Sequence, residues 1–175
     1  MRHIRGLLSL LGLSLGSNAV AADVVVGRAH LPIPAGWSVA DRSPERATLH
    51  DDQWTQSITL SSLAFQVSPS FDDFKRICQL RLEAERKDAP HVFIEADEPT
   101  VTSDSAFFFF SGADKSSRRV FSGELTLVKN ELITVYLEGM NVDPKEHLAF
   151  FAKTVKSLSV AGQSPNAWLQ RTHDR

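Results

Sequence analysis

Phe107–Phe110, four phenylalanines in a row, constrain the fold more than any other feature of this 175-residue chain. Successive side chains of a strand point to opposite faces, so a strand that is apolar at every position must be covered on both sides. The sheet that holds Ala106–Phe110 therefore needs a layer on each face. Two helical patterns can supply them. The first opens at Ser70, where Ser70 and Asp73 form a capping box and Asp72 and Asp73 favour the positive end of the helix dipole. Phe71, Phe74, Ile77, Cys78 and Leu82 follow as one apolar stripe, and Pro90 forbids continuation. The second has Asp143 as N-cap, Pro144 at N1 and Glu146 at N3. Its stripe reads Leu148, Phe151, Ala152, Val155 and Leu158.

The remaining patterned segments read as strands. Val24–Val26 is a short β-rich run. His30–Trp37, with two prolines and a glycine, reads as an extended edge segment. Arg46–His50 and Ser57–Val67 form a hairpin across the polar turn Asp51-Asp52-Gln53. Within the second arm the apolar parity switches at Ser61-Ser62, which predicts a bulge. Val92–Glu95 is another short strand. Arg119–Val128 and Leu132–Glu138 form a hairpin turning at Lys129-Asn130. The order β-β-β-α-β-β-β-α predicts an α+β domain over residues 22–160, with two amphipathic helices on a mostly antiparallel sheet of about six strands. Residues 161–175 read as a polar tail carrying Trp168.

Residues 1–21 carry the three parts of a secretory signal in order. Arg2 and Arg5 give a basic start, Leu7–Leu15 an apolar run, and Ala19-Val20-Ala21 a cleavage site. The apolar run is too short to span a bilayer, and no other stretch is long enough. The expected working form starts near Ala22, exported to a periplasm or secreted. Cys78 is the one cysteine, so no intramolecular disulfide can form, and no lipid-anchor cysteine follows the cleavage site. Cys78 lies on the apolar side of its helix and reads as a buried small hydrophobe. Lys and Arg number 19 against 21 Asp and Glu; without Arg2 and Arg5 the balance is 17 against 21, a net charge of −4. That balance argues against nucleic acid as the main partner.

Three segments carry a family likeness. They are Leu31-Pro32 with Pro34-Ala35-Gly36-Trp37, the Ser57–Val67 strand running directly into the Ser70 helix, and the Leu132–Leu158 close, in which a strand meets an Asp-Pro-capped helix ending at Ser157-Leu158. In this order they resemble the superfamily that includes PsbP, the extrinsic subunit of photosystem II, the Ran-binding nuclear-transport factor of the same fold and the bacterial DcrB-like proteins. The resemblance spans most of Val24–Val160. It implies an α/β/α sandwich that acts through protein contacts without enzymatic activity. No binding motif matches residue by residue, so the family's binding residues do not carry over.

Reactive constellations are sparse. The histidines form no H-E-x-x-H and no close pair for zinc. His147 beside Glu146 reads as a surface residue. His50 with Asp51 and Asp52 is the most metal-like local set, though it also fits a plain turn. There is no nucleophile elbow, Walker A loop or dinucleotide fingerprint, and Gly112 and Gly123 stand isolated. Glu95, Asp97 and Glu98 before Pro99 read as a solvated loop. Neither a cofactor nor a metal is expected.

Two surface tips are the candidate partner-binding elements. One is Ala113–Arg119, polar and locally basic through Lys115, Arg118 and Arg119; it is either a solvated turn or a docking element. The other is Asp51, Asp52 and Trp54, with the tryptophan either folded back on the sheet or serving as an interface anchor. The expectation is a non-enzymatic periplasmic module that binds another protein. By functional analogy with small exported proteins of this form, it could be an immunity protein inhibiting a secreted toxin. The alternative is a small-ligand or lipid binder with a pocket lined by Phe107–Phe110.

Overall fold

The structure, a computed structural model, describes residues 22–89 and 91–163. The secretory signal, Pro90 as a helix stop, and the tail with Trp168 lie outside the described residues. Strands β1 (Asp23–Val26) and β2 (Ala29–Pro32) form a hairpin, and β11 (Ser159–Val160) pairs with β2, giving a three-stranded sheet. The main sheet has eight strands, in the order β3 (Trp37–Arg42), β4 (Arg46–Asp51), β5 (Gln56–Ala64), β10 (Glu131–Met140), β9 (Arg119–Val128), β8 (Ser105–Asp114) and β6 (Phe93–Ala96), with β7 (Thr100–Val101) also paired to β8. The pairings are antiparallel. The estimate of about six strands is therefore too low. Polar β3 and the short β7 and β11 lack the alternating apolar pattern that identifies a strand, and pairing alone makes them strands.

Strand alternation divides the core in two. On one face, Ile133, Val135 and Leu137 of β10 join Ile58 and Leu60 of β5, the small sheet, and Phe151 and Val155 of α2 (Pro144–Ser157). On the other, Phe108, Phe110, Phe121 and Leu125 pack under Phe74 and Cys78 of α1 (Phe71–Asp88). The two helices thus cover opposite faces, as the phenylalanine run requires. The Ser70–Asp73 capping box is formed, and Asp143 accepts hydrogen bonds from the Lys145 and Glu146 amides.

Two expectations need correction. No bulge interrupts Ser61-Ser62: β5 keeps an unbroken register with β10 from Gln56 to Ala64. The parity change has another cause, since Leu63 sits on the α1 face near the strand end and is exposed, while Phe65 lies beyond the strand. The second correction concerns α2. Its buried face is His147, Phe151, Thr154 and Val155, whereas Leu148 and Ala152 are exposed. His147 is a core residue, only 3% exposed.

The isolated glycines of β8 and β9 have a packing reason. Phe110 pairs across the strands with Gly123, and Phe121 with Gly112. A Cβ on Gly123 would run into the Phe110 ring, and one on Gly112 would meet the Phe121 ring. Each ring therefore lies across a glycine on the α1 face. Gly27 is different: its φ of +54° makes the β1–β2 turn, and its bare Cα faces Glu131 Oε1 and Ser62.

Candidate functional site

The β4–β5 and β8–β9 tips lie at the same end of the main sheet. Register places them there: Arg119 pairs with Met140, Gly139 with Gln56, and Trp37 with Asp51. Backbone hydrogen bonds link the segments into one rim. The Asn141 amide donates to the Arg118 carbonyl at 3.0 Å, and the Met140 amide donates to the Thr55 carbonyl at 2.9 Å.

Each turn is fixed by an inward-turned aspartate. Asp51 accepts from the Thr55 amide, the Thr55 hydroxyl and the Gln56 amide. Its pKa lies below the ordinary carboxylate value: burial raises it, but the Gln56 and Thr55 hydrogen bonds outweigh that. Asp114 accepts from the Ser116 amide and the Ser116 and Ser117 hydroxyls, which hold its pKa at about 2. Asp51 and Asp114 therefore shape the tips rather than offering charge to a partner. Asp52 is exposed, and its amide donates to the Gly36 carbonyl.

Trp54, Arg118 and Asn141 have φ of 57°, 55° and 59°, three of the four non-glycine residues with positive φ among the described residues. For a bulky residue this region costs about 1–2 kcal/mol, and such strain concentrates at functional positions. Trp54 is 69% exposed and stacks on His50 at 4.3 Å between centroids. It stands out from the sheet. Met140 and Phe93 are exposed on the same end. Composition could not reveal this convergence of Met140, Asn141 and Phe93, because it depends on strand order.

Lys115 and Arg118 are exposed, and the Arg118 guanidinium donates to Asn141 Oδ1 at 3.4 Å. Arg119 has a different setting. It faces α1 and donates to Tyr136 Oη at 2.6 Å, Glu138 at 2.9 Å and Glu85 at 3.3 Å. Its guanidinium also lies over the Phe121 ring at 4.8 Å. With Arg81 on Glu85 and over the Tyr136 ring, it ties α1 to the sheet. Arg119 thus belongs to a fold-holding ion network, while Lys115 and Arg118 remain on the rim.

The other candidates resolve through what they touch. Cys78 is buried, and burial pushes its thiol up to about 12. Phe107, Phe108 and Phe110 are 3%, 3% and 0% exposed, and Phe109 packs against Phe151 at 5.8 Å. The rings fill the layers between sheet and helices.

No family model matches the sequence, and no curated protein matches it. The fold is similar to the solution structure of cyanobacterial PsbP (CyanoP) from Synechocystis sp. PCC 6803, with a TM-score of 0.62 and 15% identity over 84% of this chain and 97% of that one. A crystal structure from Bacteroides thetaiotaomicron VPI-5482 overlaps at a TM-score of 0.40 and 11% identity, over 76% of this chain and 45% of that one. That second overlap is too low to carry an argument. At 15% identity the first shows fold and nothing more. The chain has a PsbP-like fold.

Proposed function

We propose that this chain is a non-enzymatic, exported module that binds another protein on the rim. One observation carries the reading: sheet topology gathers exposed Met140 and Phe93, at strand ends, with Trp54, Lys115 and Arg118, on turns locked from within. Aromatic residues, methionine and arginine are the types enriched where proteins meet. Locked turns reduce the ordering cost of association. Export is read from the 1–21 leader. In its narrowest form, the module is an inhibitor that seats these turns in the cleft of a secreted toxin. A pocket lined by Phe107–Phe110 has less support, because those rings are filled against by α1, α2 and one another.

The test is capture of a partner from periplasmic extract by the processed protein, tagged at its C-terminus. The described chain runs from β11 to Gly162 beside Lys129, at the end of the sheet opposite the rim. One stoichiometric partner, lost with Trp54→Ala and weakened by Arg118→Glu, is expected. Capture that survives both substitutions would move the interface off the rim. Arg119→Glu is unsuitable as a probe because it breaks the α1 network.

A further inference from the structure

A cleft of about 410 Å3 opens between the β8–β9 tip and the start of α2, lined in part by Lys115, Arg118, Asn141, Val142 and Pro144. The acid in its lining, Asp114, and the one that begins α2, Asp143, are already engaged. Asp114 is 8% exposed and turned onto Ser116 and Ser117. Asp143 accepts the Lys145 and Glu146 amides and so caps α2. Glu138 holds Arg119 at 2.9 Å. Lys115 and Arg118, by contrast, have no carboxylate within ion-pair reach among the described residues. They are exposed cations in a chain whose acids outnumber its bases by 21 to 19. Asn141 steadies the guanidinium from one side, and the left-handed backbone of Arg118 fixes where it leaves the turn.

We infer that this cleft receives a carboxylate of the partner protein, an Asp or Glu side chain or a chain end, held by Arg118 with Lys115 beside it. The inference rests on the docking role of the rim and names the chemistry that the rim selects. A planar guanidinium matches a carboxylate through two parallel N–H bonds, and an ammonium adds charge without fixing direction. Charge of this sign also hastens encounter with an acidic face.

The test uses the chain expressed from Met1 and purified as the cell processes it, followed by backbone amide NMR. Three probes are titrated separately: acetyl-Glu-Leu-Glu-Leu-Glu-amide, its Gln-Leu-Gln-Leu-Gln counterpart, and inorganic phosphate. The acidic peptide is expected to shift amides at 113–119 and 139–144. Its affinity should fall about tenfold in Arg118→Gln, the loss of one charge-assisted contact, and fall further as salt rises. Arg118→Gly, which suits the positive φ, should behave like Arg118→Gln and so exclude misfolding as the cause. Equal binding of the glutamine peptide, shifts elsewhere, or no shift would each overturn the inference. Phosphate shifting the same amides as strongly would also overturn it, in favour of a general anion site. The two readings fail separately: if partner capture depends on Trp54 but not on Arg118, docking stands and the carboxylate falls, whereas capture that survives both substitutions removes docking at the rim.

Discussion

His147 is packed over Gly139, whose added Cβ would stand 3.2 Å from Nδ1, and neither ring nitrogen has a hydrogen-bond partner among the described residues. Burial lowers its pKa to about 4, against a smaller opposing pull from Glu138. Between pH 6.5 and 4 the unfolded chain therefore holds a proton on this residue that the folded chain refuses. The contribution is complete above about pH 6.5 and is lost as pH falls toward 4, roughly 3 kcal/mol in all. Urea unfolding near pH 7 and near pH 4.5 measures it, and His147→Leu should remove most of the slope. An unchanged slope in that variant would assign the acid sensitivity to carboxylates instead. Trp54 presents the converse case, a residue with little to hold in the fold. Trp54→Gly relieves a left-handed backbone while losing the stack on His50, so stability should change by less than about 1 kcal/mol. Partner capture should nonetheless be lost, which separates the two roles by thermal melting and pull-down. Cys78, with its thiol pushed up to about 12 inside the α1 layer, should react with thiol reagents only at the rate of unfolding.

At the scale of elements, α1 is fixed to the sheet by apolar packing and by Glu85, which is 5% exposed and meets both Arg81 and Arg119. Glu85→Ala leaves those arginines beside Tyr136 without their shared acid. A loss of about 3 kcal/mol is expected by urea unfolding, tempered by the partial exposure of both arginines. Glu138→Ala, with a carboxylate 35% exposed, should cost about 1 kcal/mol or less. Gly123→Ala would push a methyl into the Phe110 ring and should cost about 2 kcal/mol. The helix starts were legible because capping is local: Ser70 with Asp73, and Asp143 with Pro144, declare themselves within four residues. The buried face of α2 was not, because a histidine and a threonine turned inward at 147 and 154 while Leu148 turned out. Polar β3, all but Trp37 exposed, owes its existence to its pairing with β4. The two tips were visible as turns. Their convergence, and the diversion of Arg119 into the ion network, depend on strand order and on α1 lying over β9, which no local pattern encodes.

Over the whole molecule the two ends of the sheet differ in kind. One carries the rim. At the other, Glu131 grips the β1–β2 turn through the Arg28 amide and guanidinium, each at 2.9 Å, and the three-stranded sheet is completed by β11. Ala29 pairs with Val160, and both belong to the same core as Val24 and Leu31. The first hairpin of the domain is thus finished by its last strand. A chain built this way completes its α2-side core only once Ser159–Val160 have reached the first hairpin. The closure spans nearly all of the described residues, so it comes late and slowly relative to local hairpins. In the exported role proposed above, that delay would be an advantage, because the α2-side core would stay open until Ser159–Val160 had arrived.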